Sequence, residues 1–308
     1  MKKRSLNHYF LVAPGFTLKI RTNTPKLHKI IAETLFPIKV RKATKNFFVI
    51  HLFWNHKTKN YELLRRDGKK IWARSTLPLI PFLDEEVRWK ILTRLPEHLF
   101  PIHSAGLIEN SKAILLLGEA GAGKSTALFD FVRQGYAGLS DELNFLDLRT
   151  FRVYPYFRTW ILKALPRVFS SKKYTEVPVL RNKPKGGAKL THFCFNSNIF
   201  RRRLQNQSFP LQKIFYLKSR SAKKLAFKRL SPVEVFEKLS DNVYAITFRK
   251  GFKSPYMTKY KRLLIRLFRA FPKFQNRLAG FELKTTKKTK SSNLIKKYKL
   301  LKSSKIPS

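Results

Sequence analysis

The chain of 308 residues has one cysteine, Cys194. A disulfide within the chain is therefore excluded, as is a cysteine-based metal cluster. Cys194 reads as a small buried residue. Acidic residues are also scarce: 18 Asp and Glu stand against 65 Lys and Arg, for a net charge of +47. No apolar run approaches the roughly 20 residues that cross a bilayer. The N-terminus, "MKKRSLNHYFLVAPGF", has a basic start without the sustained apolar stretch of a signal peptide. These absences predict a cytoplasmic protein. No internal repeat occurs, and no helix-turn-helix, zinc-finger or RNA-stacking signature accompanies the positive charge.

Apolar residues are not lacking. They make up 43% of the chain, enough for a real core. The 27 phenylalanines sit mostly in apolar runs, so core packing explains them better than base stacking. The charge is uneven. Residues 101–150 carry four Lys/Arg against six Asp/Glu, a balance of −2, so the rest of the chain carries +49. Such a field attracts polyanions: nucleic acid, an anionic membrane or an acidic protein. The alternative is a host-wide preference for lysine, with the charge only solvated.

Residues 1–82 predict short strands rich in β-branched and aromatic residues, with one short helix over 25–36 and a hairpin turn at Asp67-Gly68. Residues 83–100 predict a helix with Asp84, Glu85 and Glu86 at its positive end and Val87, Ile91, Leu92 and Leu95 on one face, ended by Pro96. Strand-like runs at 102–108 and 112–117 flank the turn "ENSK". A helix follows at 125–134, then further strands, with another buried strand at 212–218. Ser231, Pro232 and Glu234 open a capping-box helix over 231–241. After Glu282 the tail has nine lysines and no acid and reads as largely disordered. The division that follows is a β-rich region (1–96), a nucleotide-binding domain (97–282) and a basic tail (283–308).

The chemistry concentrates in "ILLLGEAGAGKSTALFDFV", residues 114–132. Gly118, Gly123, Lys124 and Ser125 match G-x-x-x-x-G-K-[ST], with Glu119, Ala120, Gly121 and Ala122 inside the loop and Thr126 beyond it. Glycines let backbone N–H groups turn inward around phosphate oxygens; Lys124 reaches the β- and γ-phosphates and the Ser125 hydroxyl ligates Mg²⁺. The helix that follows points its positive end at the same anion. The apolar run before the loop and the amphipathic helix after it supply the context the pattern needs; the bland alternative is a glycine-rich turn with no ligand. Asp141 and Glu142, 17 residues beyond Lys124, offer carboxylates for the metal. Glu142 reads equally as a turn acid.

Taken together, "PIHSAGLIENSKAILLLGEAGAGKSTALFDFVRQGYAGLSDELNFLD" resembles the catalytic domain of the HPr kinase/phosphorylase family and its divergent stand-alone relatives. Residues 210–239 look like the strand-plus-helix ending of the small members. The resemblance covers roughly residues 97–245. It implies an α/β fold with a P-loop core like that of ATP-dependent phosphoenolpyruvate carboxykinase, here with a β-rich N-terminal region and a basic C-terminal helix and tail. It implies ATP and Mg²⁺ as cofactors and transfer of phosphate to a hydroxyl of a protein, peptide or small molecule. Asp141 would be the base or a metal ligand, Ser125 and Glu142 would complete the metal site, and His103 would lie near the transferred phosphate. Without the resemblance His103 reads as a structural histidine. The family's Arg-Gly-Leu-Gly segment is absent; Glu176 and the loop 181–190 do not match it, which leaves phosphorolysis and HPr itself as acceptor unsupported. Two further readings stand beside the kinase: a nucleotide-binding module or weak ATPase acting on a polyanion, and a carboxykinase activity on a small acid. An oligomer is compatible with all three. Residues 258–274 predict a basic amphipathic helix whose stripe of Tyr260, Leu263, Leu264, Leu267, Phe268 and Phe271 packs on the core; contact with an anionic membrane or a partner groove is the alternative.

Overall fold

The computed structural model describes residues 6–13, 15–24, 27–36, 38–65, 68–157, 160–162, 174–178, 191–195, 208–218, 221–244 and 255–286. The chain is mixed α/β and divides into two units, Met1–Leu95 with Phe157–Arg202, and Pro96–Tyr156 with Arg203–Ser308. The break at Leu95/Pro96 lies one residue from the expected boundary. Residues 157–202, placed by the linear division in the nucleotide-binding domain, group instead with the N-terminal unit.

In the first unit come β1 (Leu6–Ala13), β2 (Phe16–Thr22), α1 (Leu27–Thr34), β3 (Lys39–Val40), β4 (Asn46–Asn55), β5 (Asn60–Leu64), β6 (Lys70–Ala73) and α2 (Ile80–Arg94). They form a six-stranded sheet in the order β3-β1-β2-β4-β5-β6. Strand β4 shows why it is a strand: Phe48, Ile50 and Leu52 alternate into the core while Phe47 stays outside. Strands β2 and β4 are parallel, so the chain between them must cross over, and α1 does so with Leu27 and Ile31 buried one turn apart. Between β5 and β6, Gly68 takes a left-handed φ of 78° in the expected turn; Asp67 lies outside the described residues.

Helix α2 departs from expectation. A 3₁₀ turn at Leu77–Leu79 and Pro81 in the first turn start it early, so Asp84 and Glu86 fall inside the helix and not at its positive end. Both are buried and paired, Asp84 with Arg88 at 3.2 Å and Glu86 with Arg65 at 3.5 Å. The apolar face of Val87, Ile91, Leu92 and Leu95 is buried as expected.

The second unit begins with β7 (Leu99–His103), β8 (Ala105–Glu109), β9 (Lys112–Gly118), α3 (Lys124–Arg133), β10 (Ala137–Gly138), β11 (Leu143–Asp147) and β12 (Arg152–Pro155). The expected single strand over 102–108 is broken at Ser104 into β7 and β8, because the two halves pair with different strands, β7 with β11 and β8 with β9 and β10. Asn110 and Ser111, both with positive φ, close the β8–β9 hairpin at the expected turn. Strands β13 (Trp160–Leu162), β14 (Tyr174–Pro178) and β15 (Thr191–Phe195) form a small sheet of the first unit. The side chains of Cys194 and Glu176 and the loop 181–190 lie outside the described residues.

The second unit closes with β16 (Phe209–Lys218), β17 (Ser221–Leu230), α4 (Pro232–Asp241), α5 (Pro255–Ala270) and β18 (Ala279–Thr286). Its nine-stranded sheet runs β10-β8-β9-β16-β12-β11-β7, with β18 beside β16 and β17 beside β18. Strand β16 is parallel to both β9 and β18. Because β18 runs to Thr286, residues 283–286 of the expected tail are strand; 287–308 lie outside the described residues. Helix α4 carries the full capping box: Ser231 accepts from the Glu234 N–H, and Glu234 accepts from the Ser231 N–H. One apolar cluster joins the sheet to both helices, through Leu115, Leu146, Val153, Ile214, Leu239, Leu263, Leu267 and Phe271. The α5 stripe is thus core, with Tyr260 and Leu264 packed partly against it. Phe268 is the exception at 68% exposure, its ring meeting that of Phe236 edge to face.

Candidate functional site

The glycine loop spans the gap between the C-terminal end of β9 and the start of α3. Its root is fixed by backbone. Gly118 pairs with Leu217 of β16, and a Cβ at Gly118 would collide with the Leu217 carbonyl oxygen. At the other end Gly123 caps α3 with a left-handed φ of 92°, a conformation residues with a Cβ rarely adopt. Gly123, the N-cap of α3, makes no side-chain cap bond, and a helix N-terminus favours an anion. Glu119, Ala120, Gly121 and Thr126 are exposed, whereas Ala122 and Lys124 are buried.

Lys124 is 6% exposed, and its ammonium donates to the Gly118 carbonyl at 2.6 Å and the Glu119 carbonyl at 3.0 Å. Its charge is therefore held at the loop's mouth. The Ser125 hydroxyl donates to the backbone carbonyl of Asp141 at 3.4 Å, which brings the acidic pair to the start of α3. Asp141 is buried and Glu142 half-buried, at the end of the segment leading into β11. Beside the loop, burial and the charges of Glu119, Asp241 and Glu282 raise the pKa of the Tyr216 phenol.

Three residues with no sequence signal of function complete this cluster. Asn242, at the end of α4, accepts from the Gly118 N–H at 3.1 Å, and its backbone carbonyl accepts from the His103 N–H at 2.6 Å. Its own amide donates to the Lys238 carbonyl at 2.8 Å, so the end of α4 anchors the loop. Tyr244 is buried; its hydroxyl donates to Glu142 Oε1 at 3.1 Å and its ring lies 5.7 Å from that of His103. Ser104 donates its N–H to the Glu142 carbonyl at 3.1 Å and takes two bonds from the Asn144 amide. The structure thus gathers Lys124, Ser125, Asp141, Glu142 and His103 around the root of one loop, with Asn242 and Tyr244 tying the members together.

The donors suit a hard cation: a hydroxyl from Ser125 and carboxylates from Asp141 and Glu142 are the oxygens Mg²⁺ takes alongside those of a phosphate. Among the described residues no group of three or more His, Cys, Asp or Glu could hold a metal. No helix among the described residues is long and apolar enough to cross a membrane.

No protein-family model matches the chain, and no curated protein matches its sequence. Among solved structures, it is similar to the Hpr(Ser) kinase/phosphatase from Coxiella burnetii. That likeness is slight: 14% identity over 42% of this chain and 70% of that one, with a TM-score of 0.23.

Proposed function

We propose that the chain is an ATP- and Mg²⁺-dependent phosphotransferase that phosphorylates a hydroxyl of a protein, peptide or small molecule. The observation that carries the reading is the Ser125–Asp141 hydrogen bond, which joins the glycine loop to the acidic pair beside a buried lysine. In this reading the loop N–H groups and the α3 N-terminus bind the phosphates, with Lys124 exchanging the Gly118 and Glu119 carbonyls for β/γ-phosphate oxygens. Ser125 and Glu142 would hold Mg²⁺, which when bound neutralises charge on the phosphates, and Asp141 is left to act as the base. Asp141 takes the proton of the acceptor hydroxyl as its oxygen bonds to the γ-phosphorus. The bond to the β-phosphate oxygen breaks, and its electron pair leaves with ADP. Tyr244 fixes the Glu142 carboxylate, and His103 stands beside Tyr244.

Calorimetry with Mg²⁺-ATP tests the reading. Lys124→Ala loses most of its affinity, while Asp141→Asn keeps binding if the residue is the base. Equal ATP affinity in Lys124→Ala and the natural chain sinks the proposal. The net charge of +47 favours a second reading, a nucleotide-binding module that acts on a polyanion. ATP hydrolysis stimulated by a polyanion, with no transfer to any hydroxyl, would select it.

A further inference from the structure

Helix α5 presents cations of its own, on a flank beside the apolar stripe. A pocket of about 230 Å³ is lined by Glu97, Thr258, Lys259, Arg262, Leu263 and Arg266. Five of these six recur three or four residues apart along the helix, so they share one flank. Leu263 belongs to the buried apolar cluster and fixes the pocket to the core. Three cations here face one carboxylate. Glu97 is engaged by Arg266, and Arg262 has no ion-pair partner among the described residues. Burial holds the Lys259 ammonium below its ordinary pKa, and Glu97 offsets this only in part. Next to Glu97, His98 is also held low, by burial first and then by the charge of Arg149; Asp147 opposes this and Arg266 adds to it. With Glu97 engaged by Arg266, the charge of Arg262 is left at the pocket wall.

The volume bounds the ligand. Pockets that enclose a whole small molecule run to roughly 300–1,000 Å³, so this one takes a single group. Guanidinium forks and an ammonium match the oxygens of a tetrahedral anion, and the Thr258 hydroxyl adds a donor. We propose that this pocket seats one phosphate group, separately from the glycine loop. The phosphate is either a small phosphomonoester or one backbone phosphate of a nucleic acid, for which Lys261 and Arg269 on the outer face of α5 extend the charge.

The experiment uses the full chain carrying Lys124→Ala, so that a signal from the glycine loop is removed, and titrates inorganic phosphate by calorimetry. Arg262→Gln in that background should weaken phosphate binding about tenfold or more with an unchanged melting temperature. Arg262→Lys, which keeps the charge and loses the fork, should fall between. On the otherwise natural chain Arg262→Gln should leave Mg²⁺-ATP affinity intact. Lys259→Gln provides an independent second variant with the same expected loss. Phosphate affinity unchanged in both variants, or no phosphate binding by the Lys124→Ala protein, overturns the proposal. A labelled single-stranded oligonucleotide separates the sources: if the pocket holds a backbone phosphate, Arg262→Gln reduces the log–log salt slope by about 0.7. An unchanged slope with lost phosphate binding assigns the pocket to a phosphomonoester.

Discussion

Residues 101–150 and residues 255–277 belong to the same unit and, in the roles proposed for them, would meet anions by opposite means. The first stretch has a balance of −2, and the features proposed to bind phosphate there are backbone: a strand end, left-handed glycines and a helix start, with one buried lysine. The second holds seven Lys/Arg and no acid, and its pocket is built from side chains on a helix flank. A site made of backbone dipoles tolerates nearby carboxylates, and the proposed chemistry needs them. A site made of charged side chains gains from the excess of charge around it and is screened by salt. The difference teaches that the protein's net charge says little about its glycine loop and much about α5.

The sharpest test of this contrast is Asp141→Asn. It removes the proposed base and should lower phosphate transfer from labelled ATP by roughly 10²–10⁴-fold; transfer at the natural rate would separate the acidic pair from the chemistry. Next in size is Leu267→Ala, which opens a cavity behind α5. It should cost about 2–5 kcal/mol in denaturant unfolding, and a loss below 1 kcal/mol would mean that α5 is a surface attachment and not core. Gly118→Ala drives a methyl group into the Leu217 carbonyl and should cost about 1–3 kcal/mol, with ATP affinity falling because the loop's root shifts. A Gly118→Ala protein as stable and as ATP-competent as the natural one would break the backbone half of the comparison. The smallest effect is expected for Glu97→Gln. The Glu97–Arg266 pair is exposed, so stability should change by about 1 kcal/mol or less, while phosphate binding at the pocket strengthens and becomes more sensitive to salt.

Much of this was legible locally. The glycine loop, the Ser231–Glu234 capping box and the α5 stripe are patterns within a few residues of one another, and each appears where the spacing places it, save Phe268 of the stripe. Other features had no local trace. The start of α2 is set by a 3₁₀ turn that moves Asp84 and Glu86 into the helix, where partners and not the helix dipole hold them. Ser104 interrupts an apolar run that reads as one strand because periodicity does not reveal which neighbour each half will pair with. Asn242 and Tyr244 are single polar residues far along the chain from the glycine loop and Glu142, and no spacing rule connects them. The pocket on α5 was visible as basic composition but not as a place, since Glu97 reaches it from another part of the sequence.

The bond from Asn242 to Gly118 also sets a clock. The two residues are 124 positions apart in the chain. At a synthesis rate of about 5–20 residues per second, Asn242 emerges roughly 6–25 s after the loop it anchors. The β8–β9 hairpin closes from neighbouring residues in microseconds, but the loop at its end lacks Asn242 throughout that interval and β16 for most of it. A nascent chain released or cleaved before residue 242 would carry the whole glycine signature and lack the anchor that shapes it. If the loop binds nucleotide as proposed, capture is expected only once Asn242 has emerged, and ribosome-bound chains halted before and after Asn242 should differ in their retention of ATP.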